Sequence, residues 1–519
     1  MALWACRWGS IKEGIFKINM TLIEMLERNK REFPNKIAII YHYTKITYKE
    51  LNELVDKITN ALMGIGLKKG DRVGLMLPRI PELVISFLSI AKAQGIGVPI
   101  NFELLDESIR TILTDILPRC LIVHENFLDL TKRSLPSGAK IPIIAVGERV
   151  KGEEFFWEEM LKSKSSLPPF LEVKEDDVVY LNYTSGSTGN PNGAITTYSN
   201  IYWNTLASID TLRMTSDDVH LCMFAPFAHP HEIFARPLYL GGTMILLDKI
   251  YPKSIAEAIA CHQVTCMMGL APMYENLLEV LERKSYNLSS LRVPESGGMY
   301  TRPELIERFK RKVGVPILPV FGTTETTGIA IANSPEGERR YGSIGKPCKY
   351  YEAKIVDEDG KELPPNEVGE LIFKGPAVVS GYYNAPEDTN KSFKEGWYYS
   401  GDLGRKDDEG CFYFVERKGG MIKTGGLKVY PLEVENILMT HPEIKEVAVV
   451  SANDRLRGEV PRAIVVLKEG ANLTHREIIH FCQERMARYK VPRIVEFRDS
   501  LPKIGSGKID KRTLRMEIV

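Results

Sequence analysis

The chain has 519 residues, of which 44% are apolar and 26% charged, and a formal net charge of +1. That length is too great for one simple core, so two or more domains are expected. The near balance of 68 Lys and Arg against 67 Asp and Glu excludes the global basic excess of a nucleic-acid or anionic-membrane binder.

Residues 1–19 read as an N-terminal extension that lacks the apolar core and cleavage site of a secretory signal. From Met20 the text becomes ordinary. Apolar spacing predicts a helix over 22–33, a strand over 38–43, a helix over 47–63, a strand over 71–77, a helix over 81–94 and a strand over 95–100. The most apolar stretch, 83–100, is interrupted by Lys92 and Gln94 and holds two glycines, so no transmembrane segment is expected. Strand and helix patterns alternate to about residue 320, which implies parallel sheets covered by helices. Over 344–383 the pattern changes to short strands with turns at 357–360 and 364–367, a β-rich part. A boundary is expected at 416–420, where "ERKGG" is charged and ends in two glycines. Beyond it a small α+β domain is predicted, with helices at 431–439 and 475–486 and strands at 444–450 and 463–467. Eight cysteines, at 6, 120, 222, 261, 266, 348, 411 and 482, form no Cys-x-x-Cys pair. Their spread argues against a zinc site or disulfide framework and suits a reducing cytoplasm.

The run "VVYLNYT" leads into "SGSTGNPNG" at Ser185–Gly193. Glycines let successive N–H groups converge on an anion, and the hydroxyls of Thr184, Ser185, Ser187 and Thr188 add short donors. On composition alone a polyphosphate cradle and a surface turn are about equally well supported. No Walker A pattern is present here. Six further segments follow: "APFAHP" from Ala225, "ESGGMY" from Glu295, "VFGTTETTG" from Val320, "GWYYSGDLG" from Gly396, "ERKGGMIKTGGLKVYPLEVE" from Glu416 and "LPKIGSGKIDK" from Leu501.

Singly these are weak to moderate signals. In this order and spacing, from about Met20 to near the end, they resemble the ANL superfamily of adenylate-forming enzymes, in its acyl-CoA synthetase branch. The resemblance implies an α/β fold: a large N-terminal domain over 20–417 of parallel or mixed sheets with helices, including a β-rich part at 344–416, then a small mobile α+β lid over 418–519. It also implies roles. Thr184, Ser185, Gly186, Ser187, Thr188 and Gly189 would cradle the ATP phosphates. Asn192 stands where the family usually has Lys, which moves positive charge elsewhere. Pro226 and His229 match a segment bordering the acyl pocket. Gly297, Gly298 and Met299 would meet adenine, with Gly298 also at the acid. Phe321 takes a Tyr position beside adenine, with Gly322 and Thr323 as nucleotide contacts. Thr324 would bond the α-phosphate and Glu325 would hold Mg²⁺. Asp402 would accept ribose hydroxyls, with Ser400 in a Thr position, and Arg417 would contact the nucleotide. Gly420 sits at the hinge where Asp or Lys is common. Gly425 and Gly426 would let a pantetheine arm pass, Lys428 would contact polyphosphate, and Lys508 takes the catalytic lysine position.

The activity implied is ATP-dependent carboxylate–CoA ligation. A carboxylate attacks the α-phosphorus, pyrophosphate leaves, and CoA thiol displaces AMP from the acyl-adenylate. Its partners are then a small carboxylic acid, ATP with Mg²⁺, and CoA, in the cytoplasm and without nucleic acid; self-association is left open. Alternatives are a stand-alone enzyme loading a carrier protein, a luciferase-like oxygenase, and a non-catalytic nucleotide-binding regulator. An amino-acid substrate is disfavoured: residues 225–233 offer Glu232 but no Asp of the kind the family's amino-acid activators use. The acid itself is not readable from the chain.

Overall fold

The computed structural model describes residues 20–147, 155–163, 173–185, 191–337, 340–503 and 508–517. The expected extension at 1–19 and the loop residues Gly186, Ser187, Thr188 and Gly189 lie outside the described residues.

Local chemistry sets the helix starts. Thr21, Thr47 and Thr474 each accept from the backbone N–H three residues on, while Glu24, Glu50 and Glu477 reach back to the capping residue's N–H. These reciprocal boxes satisfy donors that the first helical turn leaves unpaired. The resulting helices Leu22–Glu32 and Tyr48–Gly64 match the predicted ones closely. Pro81 opens the helix Pro81–Lys92, whose residues from Pro81 to Ala91 are almost all buried. Lys92 at its end is paired with Asp56 at 2.6 Å and Glu27 at 2.7 Å, so the charge that interrupts the apolar run is neutralised inside the domain.

Four sheets result. The first runs, in spatial order, Phe155–Phe156, Ile143–Val146, Cys120–His124, Arg72–Met76, Ile96–Pro99, Val178–Ser185 and Pro191–Thr197. All its pairings are parallel except the last, where Val178–Ser185 and Pro191–Thr197 form an antiparallel pair. The second, nine-stranded sheet has a parallel centre of Val293–Ser296, Cys266–Gly269, Val219–Cys222 and Thr243–Leu246, flanked by Leu318–Thr323 and Ile37–Tyr41. Antiparallel strands close both of its ends: Gly328–Ala332 and Lys346–Pro347 on one side, Thr44–Thr47 on the other. The sheets are therefore mixed, where strand–helix alternation alone predicts parallel ones. The reason is local: short chain reversals join neighbouring strands wherever no crossover helix intervenes.

The β-rich part is an antiparallel sheet of Glu352–Val356, Gly369–Lys374, Trp397–Lys406, Phe393–Lys394 and Phe412–Arg417, with one short helix, Pro386–Ser392. The fourth sheet holds Leu427–Val429, Ile422–Thr424, Gly458–Leu467, Ile444–Asp454 and Ile494–Phe497. Its two long strands pair from Ile444–Leu467 to Asp454–Gly458, well beyond the predicted 444–450 and 463–467. Its apolar residues, among them Ile422 and Ala463, form with Val434 and Ile478 of the neighbouring helices a core separate from those of the first 420 residues. Among the described residues no helix is long and apolar enough to cross a membrane.

Gly322 is the tightest point of the second sheet near the site. A Cβ there would stand 1.9 Å from the Gly328 carbonyl oxygen on the paired strand. Gly322→Ala is expected to destabilise the N-terminal part by about 1–3 kcal/mol through forced displacement of that strand pair, read as a lower urea midpoint. An unchanged midpoint would show that the two strands yield freely.

Candidate active site

The site begins at the ends of adjacent parallel strands. Val293–Ser296 delivers Gly297 and Gly298, and Leu318–Thr323 delivers the loop to Gly328. Gly297 must be small, since a Cβ would sit 2.9 Å from Val320 Cγ2. Gly298 has φ +71°, which favours glycine. Between them and the segment 223–229 lies a cavity of about 540 Å³. Its walls include Phe102, Phe127, Met223, Phe224, Met268 and Leu270, with His229, Glu232 and Lys508 among its polar members, besides Arg79, Glu103, His124, Asn126, Asp248 and Lys249.

Lys508 enters from the C-terminal domain. Its Nζ would be 3.8 Å from a Cβ on Gly298. Burial, and then the Arg417 charge, hold its pKa below the usual lysine value, with Asp402 acting in the opposite sense. Asp402 and Arg417 face one another across paired strands, Asp402 Oδ1 lying 2.7 Å from Arg417 Nε. Asp402 is 1% exposed. Burial raises its pKa to about 6 against the lowering effect of Arg417. Ser400 shapes this strand: its hydroxyl donates to the Leu371 carbonyl at 2.6 Å and accepts from the Asp402 N–H at 3.1 Å.

The Thr-rich loop divides its hydroxyls between structure and site. Thr323 N–H donates to Thr326 Oγ1 and Thr326 N–H to Thr323 Oγ1, while Thr326 and Thr327 donate to backbone carbonyls. Among the described residues no hydrogen bond engages the Thr324 hydroxyl. Glu325 is buried and accepts from the Tyr382 hydroxyl at 2.7 Å. No group of three or more His, Cys, Asp or Glu side chains is arranged to hold a metal among the described residues. One buried carboxylate suits a Mg²⁺ ion whose other ligands are phosphate oxygens and water, so the donor set fits that ion as a companion of ATP.

The described ends of the phosphate-loop motif lie on the antiparallel pair of the first sheet. Thr184 pairs with Asn192 and Tyr183 with Gly193. Gly193 lies under the Tyr183 ring, which a Cβ would approach to 2.9 Å. The Asn192 amide donates to Asp388 Oδ2 at 3.0 Å, so this neutral residue fastens the strand to the helix Pro386–Ser392.

His229 is half-buried in the cavity wall, with no hydrogen bond to Nδ1. Burial, and secondarily Lys508, lower its pKa to about 4, so it is neutral near pH 7. Phe321 faces away from the cavity that Val320 and Gly322 line. It stacks on Phe373 at 5.9 Å and lies 6.1 Å from Phe414. Met299 is half-buried and is not part of the cavity wall. Gly425, Gly426 and Lys428 belong to the exposed hairpin of Ile422–Thr424 and Leu427–Val429, away from the cavity. The structure thus gathers Gly297, Gly298, Gly322, His229 and Lys508 at one cavity, with Asp402 and Arg417 acting on Lys508, and leaves Gly425 and Lys428 outside.

Sequence reasoning missed a buried charge cluster in the helix His231–Leu240. Arg236 Nη1 donates to both oxygens of Glu295, at 3.0 and 2.9 Å, and Arg236 Nη2 lies 3.7 Å from Glu232 Oε1. The i,i+4 spacing of Glu232 and Arg236 is legible in the chain. Glu295, 59 positions away, is not.

The segment also matches known proteins. A family described as AMP-binding enzyme matches residues 26–383, and its C-terminal domain, AMP-binding enzyme C-terminal domain, matches 433–508. The chain is 34% identical to a long-chain-fatty-acid–CoA ligase of Bacillus subtilis, across 96% of this chain and 95% of that protein. It resembles the structure of the anthranilate CoA ligase AuaEII in complex with anthranoyl-AMP, with a TM-score of 0.89, 29% identity and coverage of 96% and 97% of the two chains. It resembles also O-succinylbenzoate coenzyme A synthetase from Bacillus subtilis in complex with ATP and magnesium ion, with a TM-score of 0.82, 28% identity and coverage of 94% and 98%. The chain belongs to the AMP-binding enzymes, the adenylate-forming superfamily, in its acyl-CoA synthetase branch. Its reaction class is ATP-dependent joining of a carboxylic acid to CoA through an acyl-adenylate.

Removing Arg236 strands two buried carboxylates. Arg236→Met is expected to cost about 3–5 kcal/mol, with much of that recovered in Arg236→Met/Glu295→Gln. Urea unfolding checks this; equal losses in the single and double variants would contradict the pairing.

Proposed function

We propose that this enzyme activates an acid with a bulky, mainly apolar acyl group, and that Lys508 drives the first half-reaction. The observation carrying the proposal is the position of Lys508 Nζ beside Gly298, at a 540 Å³ cavity with Phe and Met walls and within the field of Asp402 and Arg417.

Two anions must meet when a carboxylate attacks the α-phosphorus, so positive charge and fixed donors are needed there. Lys508 supplies the mobile charge. Thr324, whose hydroxyl is uncommitted among the described residues, donates to the α-phosphate. Thr184, Ser185 and the following loop residues hold the leaving pyrophosphate. Glu325 would hold Mg²⁺, which when bound neutralises phosphate charge. Asp402 accepts the ribose hydroxyls and Arg417 keeps that carboxylate ionised. Gly297, Gly298, Gly322 and Thr323 bring backbone close to the nucleotide. Neutral His229 borders the acid without adding charge. No general base is required, because the acid is already ionised near neutral pH.

For thiol transfer, rotation about 417–420 would withdraw Lys508 and bring Gly425 and Lys428 to the cavity mouth. This supports a division at 417/418, with 344–416 as the β-rich part of the first domain. Present contacts fit a closed first state. Arg515 donates to the Gly419 carbonyl at 3.0 Å, and Lys511 lies 2.7 Å from Glu435 and 4.0 Å from Glu416. A reducing, cytoplasmic location is supported by free thiols at all seven cysteines from Cys120 to Cys482.

Lys508→Ala is expected to abolish acid-dependent ATP–pyrophosphate exchange while leaving nucleotide affinity within about twofold; undiminished exchange would contradict the assignment. Adenosine affinity should fall about tenfold from about pH 7.5 to pH 5. Protonation of Asp402 through its pKa of about 6 removes an acceptor for the ribose. Asp402→Asn should bind weakly with no such pH step, by calorimetry; a wild-type affinity independent of pH would place the ribose elsewhere.

A further inference from the structure

Glu232 is a buried charged member of the acid cavity for which the reaction gives no use. It lines the cavity, is 5% exposed, and neither carboxylate oxygen has a hydrogen bond among the described residues. Burial raises its pKa to about 7 against the lowering effect of Arg236, and the Ile329 N–H favours the ionised form without meeting hydrogen-bond geometry. Its nearest cation, Arg236, gives both of its short hydrogen bonds to Glu295 and stands 3.7 Å from Glu232. One guanidinium therefore serves two buried carboxylates, and Glu232 receives the smaller share. A buried acceptor left in this way costs stability unless a donor reaches it.

Its place in the cavity matters as well. The charges acting on Glu232 are Arg236 and Glu295, whereas those acting on Lys508 are Arg417 and Asp402. Glu232 Oε1 lies against Gly328, where an added Cβ would approach it to 2.4 Å. The carboxylate is thus set apart from Lys508, Arg417 and Asp402, against the strand pair that closes the cavity.

We propose that Glu232 selects acids carrying a hydrogen-bond donor, a hydroxyl or an ammonium, at the end remote from the reacting carboxylate. This rests on the acid–CoA ligase reading above. A donor-tipped acyl group would give the carboxylate the partner that Arg236 withholds. A methyl-tipped group of the same length would leave it buried and unmatched, and sites built this way reject such analogues strongly. The selected group is distal, so it differs from the α-ammonium of an amino acid.

The test uses the full-length enzyme with ATP, Mg²⁺ and CoA, following pyrophosphate release. Saturated acids of graded length are compared with their ω-hydroxy and ω-amino counterparts of equal heavy-atom count. At the best-fitting length a donor-tipped acid should exceed the methyl-tipped one by at least about tenfold in kcat/KM. Glu232→Met should remove or reverse that preference without weakening adenosine binding. Glu232→Gln, which keeps an acceptor and loses the charge, should retain selection for the hydroxyl and lose it for the ammonium. A wild type that prefers methyl-tipped acids at every length overturns the proposal, and this result needs no folded variant. An unchanged ranking in Glu232→Met overturns it also. If no acid of any kind releases pyrophosphate, the ligase reading itself fails and takes this inference with it.

Discussion

The ion pair of Asp402 and Arg417 is the constraint around which the site is arranged. A carboxylate that is 1% exposed is costly, and its pKa of about 6 records the cost. The pair forms because Trp397–Lys406 and Phe412–Arg417 run antiparallel with these two residues opposite each other. Arg417 is the last residue of its strand, at the proposed domain division, so the same side chain that steadies Asp402 would mark the hinge. Lys508 comes from the C-terminal domain, and Arg417 and Asp402 are the charges that act on it. One lysine that is partly desolvated, beside a cation and an anion, is poised to exchange a protein environment for the field of a polyphosphate.

Around that pair the protein spends its rigidity on closeness. Gly322 and Gly345 sit where a Cβ would come within 1.9 and 2.1 Å of backbone on a neighbouring strand. The Thr323–Thr326 exchange and the Thr327 bond to Ala377 fix the loop between them. This leaves the side chains of Thr324 and Glu325 outside that exchange, while their carbonyls accept from Thr327 and Val379. The paired strands Val178–Ser185 and Pro191–Thr197 are anchored differently. Asn192 ties the return strand to Asp388, and Tyr183 donates to Asp115. The residue at the usual lysine position therefore has a structural bond, and in the proposed mechanism Lys508 supplies the positive charge instead.

Much of this was legible before the coordinates. Helices with Thr or Pro at their starts, such as Tyr48–Gly64 and Pro81–Lys92, follow from apolar spacing and caps that act within four residues. Ordered motifs brought Gly297, Gly298, Gly322, His229 and Lys508 to one cavity although no local pattern relates them. The antiparallel closure of the sheets was less legible, since strand direction depends on how each reversal packs. The long pair Ile444–Asp454 and Gly458–Leu467 was shortened in the reading because Pro461 and the polar run 451–459 mask its outer half. Arg236 with Glu232 and Glu295 was missed for a physical reason: a buried ion network is chosen by tertiary proximity, and its members look like ordinary surface charges in a single chain.

The central claim is that the acid's own oxygen attacks the α-phosphorus of ATP. An accepted acid labelled with ¹⁸O in both carboxylate oxygens, turned over with ATP and CoA and analysed by mass spectrometry, tests it directly. The account predicts one ¹⁸O in the AMP formed and none in pyrophosphate. Label in pyrophosphate or in inorganic phosphate, with unlabelled AMP, would contradict it, because the acid would then have been activated at a different phosphorus.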